Sequence, residues 1–590
     1  MSDWYDAIIS APIFGLDTEG TSLQAHINHL HGFSIAISGQ SFWIPNDSYF
    51  ETELGKLRNI LEDSNKHVII QNAVYDVCVL RRYDIIVNAH IFDTMIAAWL
   101  IDENVFHGLK KMVKRIFDHN MITWSELKEI EKKHGSESVE FKKAQADYAM
   151  DDARQLLPLY EHFRPQLISE GLLEIYENIY EPLIHVVVNM IDRGVAIDQG
   201  CIRRLAEEFS HKAKSIKSEM ISILGWDFNP NSPLQIGKIL YGHFGLHPKW
   251  AKKLSSGQIS TSVDVLETIS KQDGEEGYEF VQQLLQLRHL LKLINTYLNP
   301  IIEYCKHDGR LHANFNLVGT VTGRLSSDNP NLQNIPARTK EGRKIREAFI
   351  ASESFVLVVA DFSQFEIRIM ADKSQDPVLR QVFSVDGDVH QETAERLGLI
   401  DKFGQREGRA RGKTTNLGFN YDMGAKKFAR MNKYTEDDAN SYRDGYFKLY
   451  RKIKLHHDTL RIEVAKGLNE VFTFIGRKRR LYNTKIDNGN RFRVAVNSPI
   501  QGSAADFTNI AMIRIHKLIK ERWNGSAYLL LQVHDELVIE IRPEIAKEFV
   551  VALYDIMCNV DIVGFVNRDR LSVPLDVDIS VGTNWLMAKA

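Results

Sequence analysis

Short apolar runs alternate with stretches of helical periodicity over the first 165 residues of the chain. The runs at 13–16, 33–37 and 68–70 have the length and composition of strands, whereas 93–100 has the pattern of a helix. This alternation predicts an α/β domain with a mixed sheet.

The pattern changes beyond this region. Residues 166–310 are mostly helical by periodicity and charge, with a polar break at 229–233 and an acidic, glycine-containing segment at 271–277 that predicts a loop. Strand-like runs return after this part, a long helical block covers 376–470, and further strands are predicted at 529–541. We find no internal repeat, coiled-coil heptad or low-complexity tract in the sequence.

Length and composition indicate a soluble enzyme of several domains. At 590 residues the chain is too long for one hydrophobic core, and its 44% hydrophobic and 25% charged residues are ordinary for a globular protein. The net charge of -4 does not by itself indicate a nucleic-acid partner. Four scattered cysteines without metal-ligand spacing predict free thiols in a reducing compartment. Because the sequence has neither a secretory signal nor an apolar run that could span a bilayer, it predicts a cytoplasmic protein.

Two local clusters of basic residues depart from this near-neutral charge. They are Lys110, Lys111, Lys114 and Arg115, and the run Arg477, Lys478, Arg479 and Arg480. Such clusters usually form solvated surface, unless other features place them on a phosphate backbone. We therefore expect the side chains of both clusters to be exposed.

Carboxylates follow the predicted strands near the N-terminus. Asp17 and Glu19 come after the strand at 13–16, and in an extended chain residues two apart point to the same side. Asp76 follows the run at 68–70, and Asp152 lies four residues after Tyr148, on one face of a predicted helix. Taken singly, each acid is usually an ordinary surface acid or helix cap. As a set, they offer the oxygen ligands that Mg²⁺ or Mn²⁺ prefers, and two such ions can activate a water against a phosphodiester.

Three histidines near these acids offer a competing metal site. His26, His29 and His31 have the spacing H-x₂-H-x-H and precede a predicted strand. No cysteine or carboxylate completes a ligand set beside them. The sequence therefore favours solvated loop histidines.

A second pair of acids lies in the C-terminal part of the chain. Five small apolar residues at 356–360 run into Asp361, which predicts a buried strand that ends in an acid. Two apolar runs flank Asp535 and Glu536, which predicts a β-hairpin with these acids at its turn. Asp361 and Asp535 would then lie side by side and could hold a second metal pair. A plain hairpin with a charged turn is the alternative.

Four residues between these acids recur every four positions. Arg409, Lys413, Leu417 and Tyr421 form a single stripe on a helix, because each step of four overshoots a turn by only about 40°. Two cations followed by an apolar and an aromatic side chain match a nucleotide, with the triphosphate at one end and the base and sugar at the other. Gly418 would allow a base to approach the helix closely. An amphipathic core helix is the alternative, although cores rarely accept Arg and Lys.

These motifs resemble those of two known families. D-x-E, N-x₂-Y-D and Y-x₃-D, in this order, resemble the motifs of DEDD-type 3′–5′ exonucleases of the Tyr subclass, the RNase H-like proofreading domains of DNA polymerases. ADFSQFEIR, R-x₃-K-x₄-G-x₂-Y and VHDEL resemble motifs A, B and C of the family A DNA polymerases, the bacterial DNA polymerase I type. The likeness extends from Asp17 to Trp585 and includes the stretches at 322–327, 331–336, 388–390 and 493–502.

The resemblance implies a role for each matching residue. At the exonuclease site, it implies metal ligands at Asp17, Glu19, Asp76 and Asp152, with Tyr148 orienting the attacking water. At the polymerase site, it implies metal ligands at Asp361 and Asp535 with Glu536 beside them, and nucleotide contacts from Gln364, Glu366, His390, Arg409, Lys413, Leu417 and Tyr421. Lys413 is also implied as the proton donor to pyrophosphate. Primer–template contacts are implied for Arg324, Gln333, Asn334, Arg493, Asn497, Gln501 and His534.

The implied architecture is a multidomain α/β and α+β protein. An RNase H-like exonuclease domain at 1–165 precedes a right-hand polymerase domain at 166–590. The polymerase domain divides into a thumb at about 190–312, a palm at about 313–375 and 495–590, and fingers at about 376–494. The implied cofactor is Mg²⁺, two ions per active site, with Mn²⁺ as a substitute. The implied partners are primer–template DNA and dNTPs, with a helicase and a single-strand binding protein as candidates, and we expect a monomer without a membrane partner.

The function implied is template-directed DNA synthesis with 3′–5′ proofreading. Glu366 would exclude ribonucleotides by placing a bulky side chain under C2′, since a pocket that only lacks a partner rejects an extra hydroxyl weakly. A single-subunit RNA polymerase and a catalytically inactive nucleic-acid-binding relative are the alternatives. The sequence departs from the family at Leu417, usually Phe or Tyr, and at Phe362 and Phe365, usually Tyr and Ile. Its size indicates a bacteriophage or mobile-element replicase of a host cytoplasm, and we expect no 5′ nuclease domain.

Overall fold

A computed structural model describes the chain apart from residues 1–3, 23, 247–258, 271–275, 338, 433, 483–487, 561–569 and 590. The chain divides into two compact units. The first comprises Met1–Arg193, Asn314–Ser327 and Ser354–Val581, and the second comprises Gly194–Ala313, Asp328–Glu353 and Gly582–Ala590. The boundary predicted at residue 165 falls inside the first unit, so the exonuclease, thumb, palm and fingers bounds stay predictions.

The N-terminal part of the first unit is built around a five-stranded mixed sheet. Its strands are β1 (Ile13–Gly20), β2 (Leu30–Ile37), β3 (Gln40–Pro45), β4 (His67–Ile70) and β5 (His90–Asp93). In the order β3-β2-β1-β4-β5, strand β1 pairs antiparallel with β2 and parallel with β4. The prediction of an α/β domain with a mixed sheet is confirmed.

Nine α-helices accompany this sheet in the described residues up to Arg193. They are α1 (Trp4–Ser10), α2 (Phe50–Leu61), α3 (Ala73–Arg81), α4 (Thr94–Ile101), α5 (Leu109–Phe117), α6 (Trp124–His134), α7 (Val139–Ser169), α8 (Leu173–Ile175) and α9 (Glu181–Arg193). The predicted helix at 93–100 is confirmed and begins one residue later, because the Asp93 side chain caps it by accepting from the N–H groups of Met95 and Ile96. Helix α7 packs across β1, β2 and β3.

Strand β1 is longer than the sequence predicts. The predicted strand ends at residue 16, but pairing with β2 continues through Asp17, which lies opposite Ser34, and Glu19, which lies opposite Gly32. The two acids therefore lie within the strand rather than after it. The antiparallel neighbour extends the strand, and no pattern in residues 13–16 could indicate that neighbour.

The second compact unit is mainly helical, as predicted for 166–310. Its elements are β6 (Val195–Ala196), α10 (Gln199–Leu224), α11 (Pro233–Gly237), α12 (Val263–Ile269), α13 (Glu276–Lys292), α14 (Asn299–Tyr304), β7 (Arg310–Leu311) and α15 (Lys340–Glu347). The polar break at 229–233 separates α10 from α11, and Ser232 caps α11. Of the loop predicted at 271–277, residues 271–275 lie outside the described residues. The prediction is wrong for its last two residues, which begin α13.

The C-terminal part of the first unit is built around a four-stranded sheet. Its strands and the smaller strand pairs near it are β8 (Asn314–Asn316), β9 (Ser326–Asp328), β10 (Val356–Phe362), β11 (Glu470–Phe472), β12 (Lys478–Arg480), β13 (Ala527–Val533), β14 (Glu536–Ile541) and β15 (Val577–Gly582). The main sheet has the order β13-β14-β10-β15. Both the buried strand that reaches Asp361 and the hairpin around Asp535 are confirmed, and β10 and β14 run antiparallel.

Helices make up much of the rest of this part of the unit. They are α16 (Phe365–Ser374), α17 (Pro377–Ser384), α18 (Val389–Arg396), α19 (Leu399–Phe403), α20 (Gln405–Asn420), α21 (Ala425–Asn432), α22 (Glu436–Leu449), α23 (Arg451–Ala465), α24 (Asn488–Arg522) and α25 (Ala546–Cys558). Helices α17 to α23 occupy most of the helical block predicted at 376–470. Helix α24 packs against both α16 and β13. None of the helices in the described residues combines the length and apolarity that a bilayer span requires.

Candidate active sites

Four acids meet at the N-terminal sheet from three separate elements. Strand β1 carries Asp17 and Glu19, and α7 carries Asp152; one ligand oxygen from each of these three lies within 4.8 Å of the others. Asp76, on α3, is buried and accepts hydrogen bonds from the Thr18 N–H at 3.1 Å and the Thr18 hydroxyl at 2.6 Å. Asp76 thereby holds the strand between the two other acids.

A glycine allows α7 to approach β1 this closely. A Cβ at Gly15 would lie 2.7 Å from the carbonyl oxygen of Ala153, which is too short for any side chain. The residue before Ala153 is Asp152. The missing side chain at Gly15 therefore sets the distance at which the α7 acid meets the β1 acids.

Burial raises the pKa values of these acids, and repulsion within the cluster adds to it at Asp17 and Glu19. Burial, followed by the charges of Glu19, Asp152 and Asp76, raises the pKa of Asp17 well above its usual range. Burial is also the largest cause for the other three, and raises the pKa of Glu19 to about 8, of Asp76 to about 7 and of Asp152 to about 6. Carboxylates crowded in this way gain most from a cation, so the site fits a divalent metal.

Two further side chains at this site were not identified from the sequence. The Lys110 ammonium lies 3.0 Å from Asp152 Oδ1 and 3.6 Å from the ring centroid of Tyr148. The Trp124 side chain is 50% exposed, and its ring centroid lies 6.4 Å from that of Tyr148. The prediction that Lys110 is a solvated surface residue is wrong. Its spacing of three from the buried Val113 on α5 was a usable signal, because such residues share a helix face.

The histidine trio is not a metal site in the described residues. His29 and His31 are exposed, His31 lies in β2, and His26 lies in the short 3₁₀ turn Ala25–Ile27. The carboxylates of Asp17, Glu19 and Asp152 form the one group of three or more potential ligands that converge within this part of the chain.

The three arginines of the basic run at 477–480 are buried and Lys478 is half-buried, so the prediction of an exposed surface is wrong. Arg477 is 2% exposed and pairs with Asp506 at 2.8 Å. Arg479 and Arg480 both pair with Glu103, at 2.5 and 3.2 Å, just beyond the end of α4. The run thus ties β12 to the N-terminal domain and to α24, and its charges are matched by buried acids rather than by phosphates.

The second acid pair lies at the meeting point of β10 and the β13–β14 hairpin. Asp361 pairs in register with Glu536, the first residue of β14, and the Phe362 N–H donates to the Asp535 carbonyl at 3.3 Å. His534 has a positive φ of 60°, which lets the hairpin turn tightly and presents Asp535 beside Asp361. Burial, partly offset by Arg324 and reinforced by Glu366 and Asp361, raises the pKa of Asp535 to about 6.

Arg324 joins this acid pair to the predicted sugar pocket. Its guanidinium donates to Glu366 Oε1 at 2.9 Å and lies 3.5 Å from Asp535 Oδ1. The Tyr421 hydroxyl donates to the other oxygen of Glu366. Both oxygens of the Glu366 carboxylate are thereby held, so the side chain has a fixed position.

The stripe on α20 faces solvent, so the alternative of a core helix is wrong. Arg409, Lys413 and Leu417 are exposed, and Tyr421 directly follows the last residue of the helix. Arg409 is held by Asp388 at 2.5 Å. Gly418 was predicted to let a base approach the helix, but it makes room for α21 instead. A Cβ at this position would lie 3.1 Å from the Phe428 ring.

The remaining residues predicted to contact the nucleotide are less exposed to solvent. His390 is 4% exposed, its Nδ1 accepts a hydrogen bond from the Asn416 side-chain amide at 3.1 Å, and burial lowers its pKa to about 4. This buried position gives its predicted triphosphate contact no support, and the contact stays a prediction. Gln364 accepts from the Val389 N–H at 3.0 Å and so links the start of α16 to α18.

The predicted DNA contacts occupy several surfaces. Arg493, Asn497 and Gln501 recur every four residues on α24, where Arg493 is exposed and the other two are half-buried. His534 is exposed at the tip of the hairpin. Gln333 and Asn334 form part of the 3₁₀ turn Leu332–Asn334 in the second compact unit, where the Asn334 carbonyl accepts from Tyr297 at 2.7 Å.

The departures at Phe362 and Phe365 have a structural explanation. Both side chains are buried, and their rings stack at a centroid distance of 4.0 Å. Phe365 also lies against Phe507 of α24, at 6.2 Å. These aromatic residues are part of the buried core where β10, α16 and α24 meet.

Two known protein families match the parts of the chain that contain these sites. Residues 199–587 match DNA polymerase family A, and residues 1–168 match a 3′-5′ exonuclease family. The DNA polymerase I of Rhizobium leguminosarum is 32% identical over 99% of this chain and 60% of its own length, and that of Chloroflexus aurantiacus is 33% identical over 99% and 62%. The chain thus spans about six tenths of the length of these curated relatives.

A solved structure is also similar over its whole length. The POL domain of Pol1 from M. smegmatis, in complex with DNA primer-template and dNTP, is 27% identical, with a TM-score of 0.86 over 100% of this chain and 98% of that one. The chain belongs to DNA polymerase family A and carries a 3′–5′ exonuclease domain at its N-terminal end.

Proposed function

We propose that this chain copies a DNA template by adding dNTPs to a primer 3′-OH, and that it removes mispaired 3′ ends at a separate exonuclease site. The observation that carries the proposal is the pair Asp361 and Asp535, held beside each other by two antiparallel strands and joined to Glu366 through Arg324. The relative from M. smegmatis, which holds a primer–template and a dNTP, supports the same ligands for this chain.

The acids at each site are the proposed metal ligands. Asp361 and Asp535, with Glu536 beside them, would hold two Mg²⁺ ions, and Asp17, Glu19, Asp76 and Asp152 would hold two at the exonuclease site. Bound there, Mg²⁺ or its substitute Mn²⁺ would activate the attacking oxygen and stabilise charge on the leaving oxygen. The raised pKa values of Glu19, Asp152 and Asp535 support a cation at both sites, since metal binding favours the deprotonated carboxylates.

The exposed stripe on α20 supports the nucleotide assignment. Arg409 and Lys413 would bind the triphosphate, and Lys413 would donate a proton to the leaving pyrophosphate. Leu417 and Tyr421 would face the base and sugar. Asp388, which holds Arg409 at 2.5 Å, would fix the direction of that guanidinium before a nucleotide binds.

Glu366 is the proposed discriminator against ribonucleotides. Since Arg324 and Tyr421 hold both of its oxygens, its side chain cannot turn aside for a 2′-hydroxyl. A fixed clash rejects a wrong substrate more strongly than a missing contact does. Arg324, Gln333, Asn334, Arg493, Asn497, Gln501 and His534 are the proposed primer–template contacts, with Gln364 and His390 as further nucleotide contacts.

At the exonuclease site, Tyr148 would orient the attacking water from its place one turn before Asp152. The exposed Trp124 beside it offers a surface on which an unpaired base could stack. Proofreading of this kind is needed because binding alone cannot discriminate sufficiently between similar substrates. A helicase, a single-strand binding protein, a monomeric state, a cytoplasmic site and a phage source stay predictions.

Primer extension tests the proposal. A labelled primer on a defined template, with Mg²⁺, is incubated with dNTPs or with rNTPs at equal concentration. We expect extension that follows the template with dNTPs and little extension with rNTPs. No extension under any condition would favour an inactive nucleic-acid-binding relative, and preferential use of rNTPs would favour an RNA polymerase.

A further inference from the structure

Lys110 differs from the three other cations on α5. Lys111 lies over the Phe106 ring at 4.1 Å, Lys114 pairs with the exposed Asp118 at 2.6 Å, and Arg115 donates to the Phe106 carbonyl at 3.0 Å. Lys110 instead reaches the carboxylate cluster. Of these four basic residues, Lys110 is therefore the one whose side chain lies in the exonuclease site.

Three contacts fix the Lys110 ammonium in that site. It lies 3.0 and 3.3 Å from the two oxygens of Asp152, donates to the Ile122 carbonyl at 2.6 Å, and lies 3.6 Å from the centroid of the Tyr148 ring. A surface lysine in an ion pair is free to swing into solvent. Lys110 is not, because a carbonyl, a carboxylate and an aromatic face hold it together.

The charge of Lys110 also affects the pKa values of acids with which it makes no contact. It opposes the effect of burial on the pKa values of Asp17 and Glu19 as well as on that of Asp152. The ammonium therefore already neutralises part of the negative charge that a divalent metal would meet. A metal that shares Asp152 with Lys110 would also be repelled by it, since two cations close to one carboxylate interact unfavourably.

We propose that Lys110 is a positioning residue of the exonuclease site, an internal counter-ion that holds Asp152 beside Tyr148 and weakens the binding of divalent metal to the carboxylate cluster. This inference rests on the proposed exonuclease function. Lys110 keeps the carboxylate cluster ordered when no metal is bound. A metal ion that binds there must compete with this fixed positive charge.

Binding of Mn²⁺, followed by the electron paramagnetic resonance signal of the free ion, tests the inference. The full chain carries Asp361→Asn and Asp535→Asn, so that polymerase-site binding is suppressed. We expect Lys110→Met to tighten Mn²⁺ binding about tenfold, the scale on which outer-shell partners act. Lys114→Met, one turn further on the same helix, should leave the affinity unchanged. Unchanged or weaker binding by Lys110→Met would overturn the inference.

Two further variants separate charge from folding and from the proposed function. Lys110→Gln should also tighten binding if Lys110→Met fails to fold, and Lys110→Arg, which keeps the charge, should stay within about twofold of the parent. Tightening by Lys110→Arg would contradict the counter-ion role. Asp17→Ala should abolish Mn²⁺ binding at the exonuclease site. If Asp17→Ala binds as much Mn²⁺ as the parent, the exonuclease proposal is contradicted, and so is the inference that rests on it.

Discussion

The two acidic sites balance their charge in different ways. At the N-terminal site, acids from β1, α3 and α7 crowd together, and the pKa values of Glu19, Asp76 and Asp152 rise to about 8, 7 and 6. At the C-terminal site, burial raises the pKa of Asp535 to about 6, and Arg324, which lies 3.5 Å from Asp535, opposes part of that effect. At the first site the single ammonium of Lys110 offsets only part of the repulsion among four acids, whereas at the second site Arg324 contacts both Asp535 and Glu366.

The difference follows from how each site is built. The N-terminal acids depend on packing between a sheet and two helices, with Gly15 setting the approach of α7. The C-terminal aspartates are placed by backbone pairing of β10 and β14, which needs no helix. The two sites should therefore fail independently, and substitutions should separate their activities.

The largest expected effect is loss of synthesis in Asp535→Asn. Neutralising one of two metal ligands should lower the extension rate by about 10³-fold or more, because several kcal/mol of charge stabilisation are lost. Degradation of a single-stranded primer should be unchanged. Single-turnover extension with Mg²⁺ measures the first rate. Glu544→Gln, an exposed acid just beyond β14, serves as the matched control and should extend normally.

The converse effect is expected for Asp17→Ala. Degradation of a 3′ end should fall by about 10³-fold or more, while extension of a matched primer continues at the parental rate. Asp6→Ala, on the exposed side of α1, is the control. Persistent degradation in Asp17→Ala would show that the N-terminal acids are not the hydrolytic site.

A smaller effect is expected for Glu366→Ala. Removing the clash under C2′ should raise ribonucleotide incorporation relative to dNTP by about 10²-fold, towards the weak discrimination of a pocket without that clash. It also frees Tyr421 and Arg324 from their hydrogen bonds, so the dNTP rate should fall as well. The ratio of kcat/KM for the two nucleotides is the measurement. An unchanged ratio would show that Glu366 does not exclude the 2′-hydroxyl of the nucleotide.

The smallest effect is a pH dependence that distinguishes the sites. Since the acids at the N-terminal site have native pKa values above their usual ones, the folded chain binds more protons than the unfolded chain. Their stabilising contribution is complete below about pH 4 and is lost as the pH rises through about 6 to 8. Without metal, the melting temperature should fall over this range.

Added Mg²⁺ should reduce that fall, because it stabilises the deprotonated acids. Glu19→Gln should flatten the metal-free profile, by at most about 1.4 kcal/mol per pH unit for the one proton removed. Asp535→Asn should alter it only up to about pH 7, since the pKa of Asp535 is about 6. A profile in EDTA that Glu19→Gln leaves unchanged would contradict the account of the crowded site.

Local sequence pattern predicted the parts of the C-terminal site that depend on neighbouring residues. The strand that reaches Asp361, the hairpin at Asp535 and the α20 stripe are each encoded within a few turns or strand lengths. Lys110 shares a helix face with the buried Val113, but no local pattern indicates its partner Asp152, which is 42 positions away. Arg479 meets Glu103 across 376 positions, and no periodicity in 477–480 indicates that buried pairing.

The same limit applies to Gly418 and to His390, whose predicted triphosphate contact stays a prediction. Gly418 was interpreted from its place on a nucleotide stripe, but the side chain that it accommodates is Phe428, from the following helix. His390 lies behind Asn416 of α20, and a motif cannot indicate that a side chain is buried. Sequence motifs identify the chemistry of a residue, and long-range packing decides whether that chemistry reaches solvent.

One experiment tests the separation of the two sites most directly. A 5′-labelled primer with a mismatched 3′ end is incubated with Mg²⁺, with and without dNTPs, with the parent, Asp535→Asn and Asp17→Ala. The account predicts that the parent shortens the primer and then extends it when dNTPs are present. Asp535→Asn should only shorten the primer, and Asp17→Ala should not shorten it at all. Loss of shortening in Asp535→Asn, or shortening by Asp17→Ala, would contradict the account.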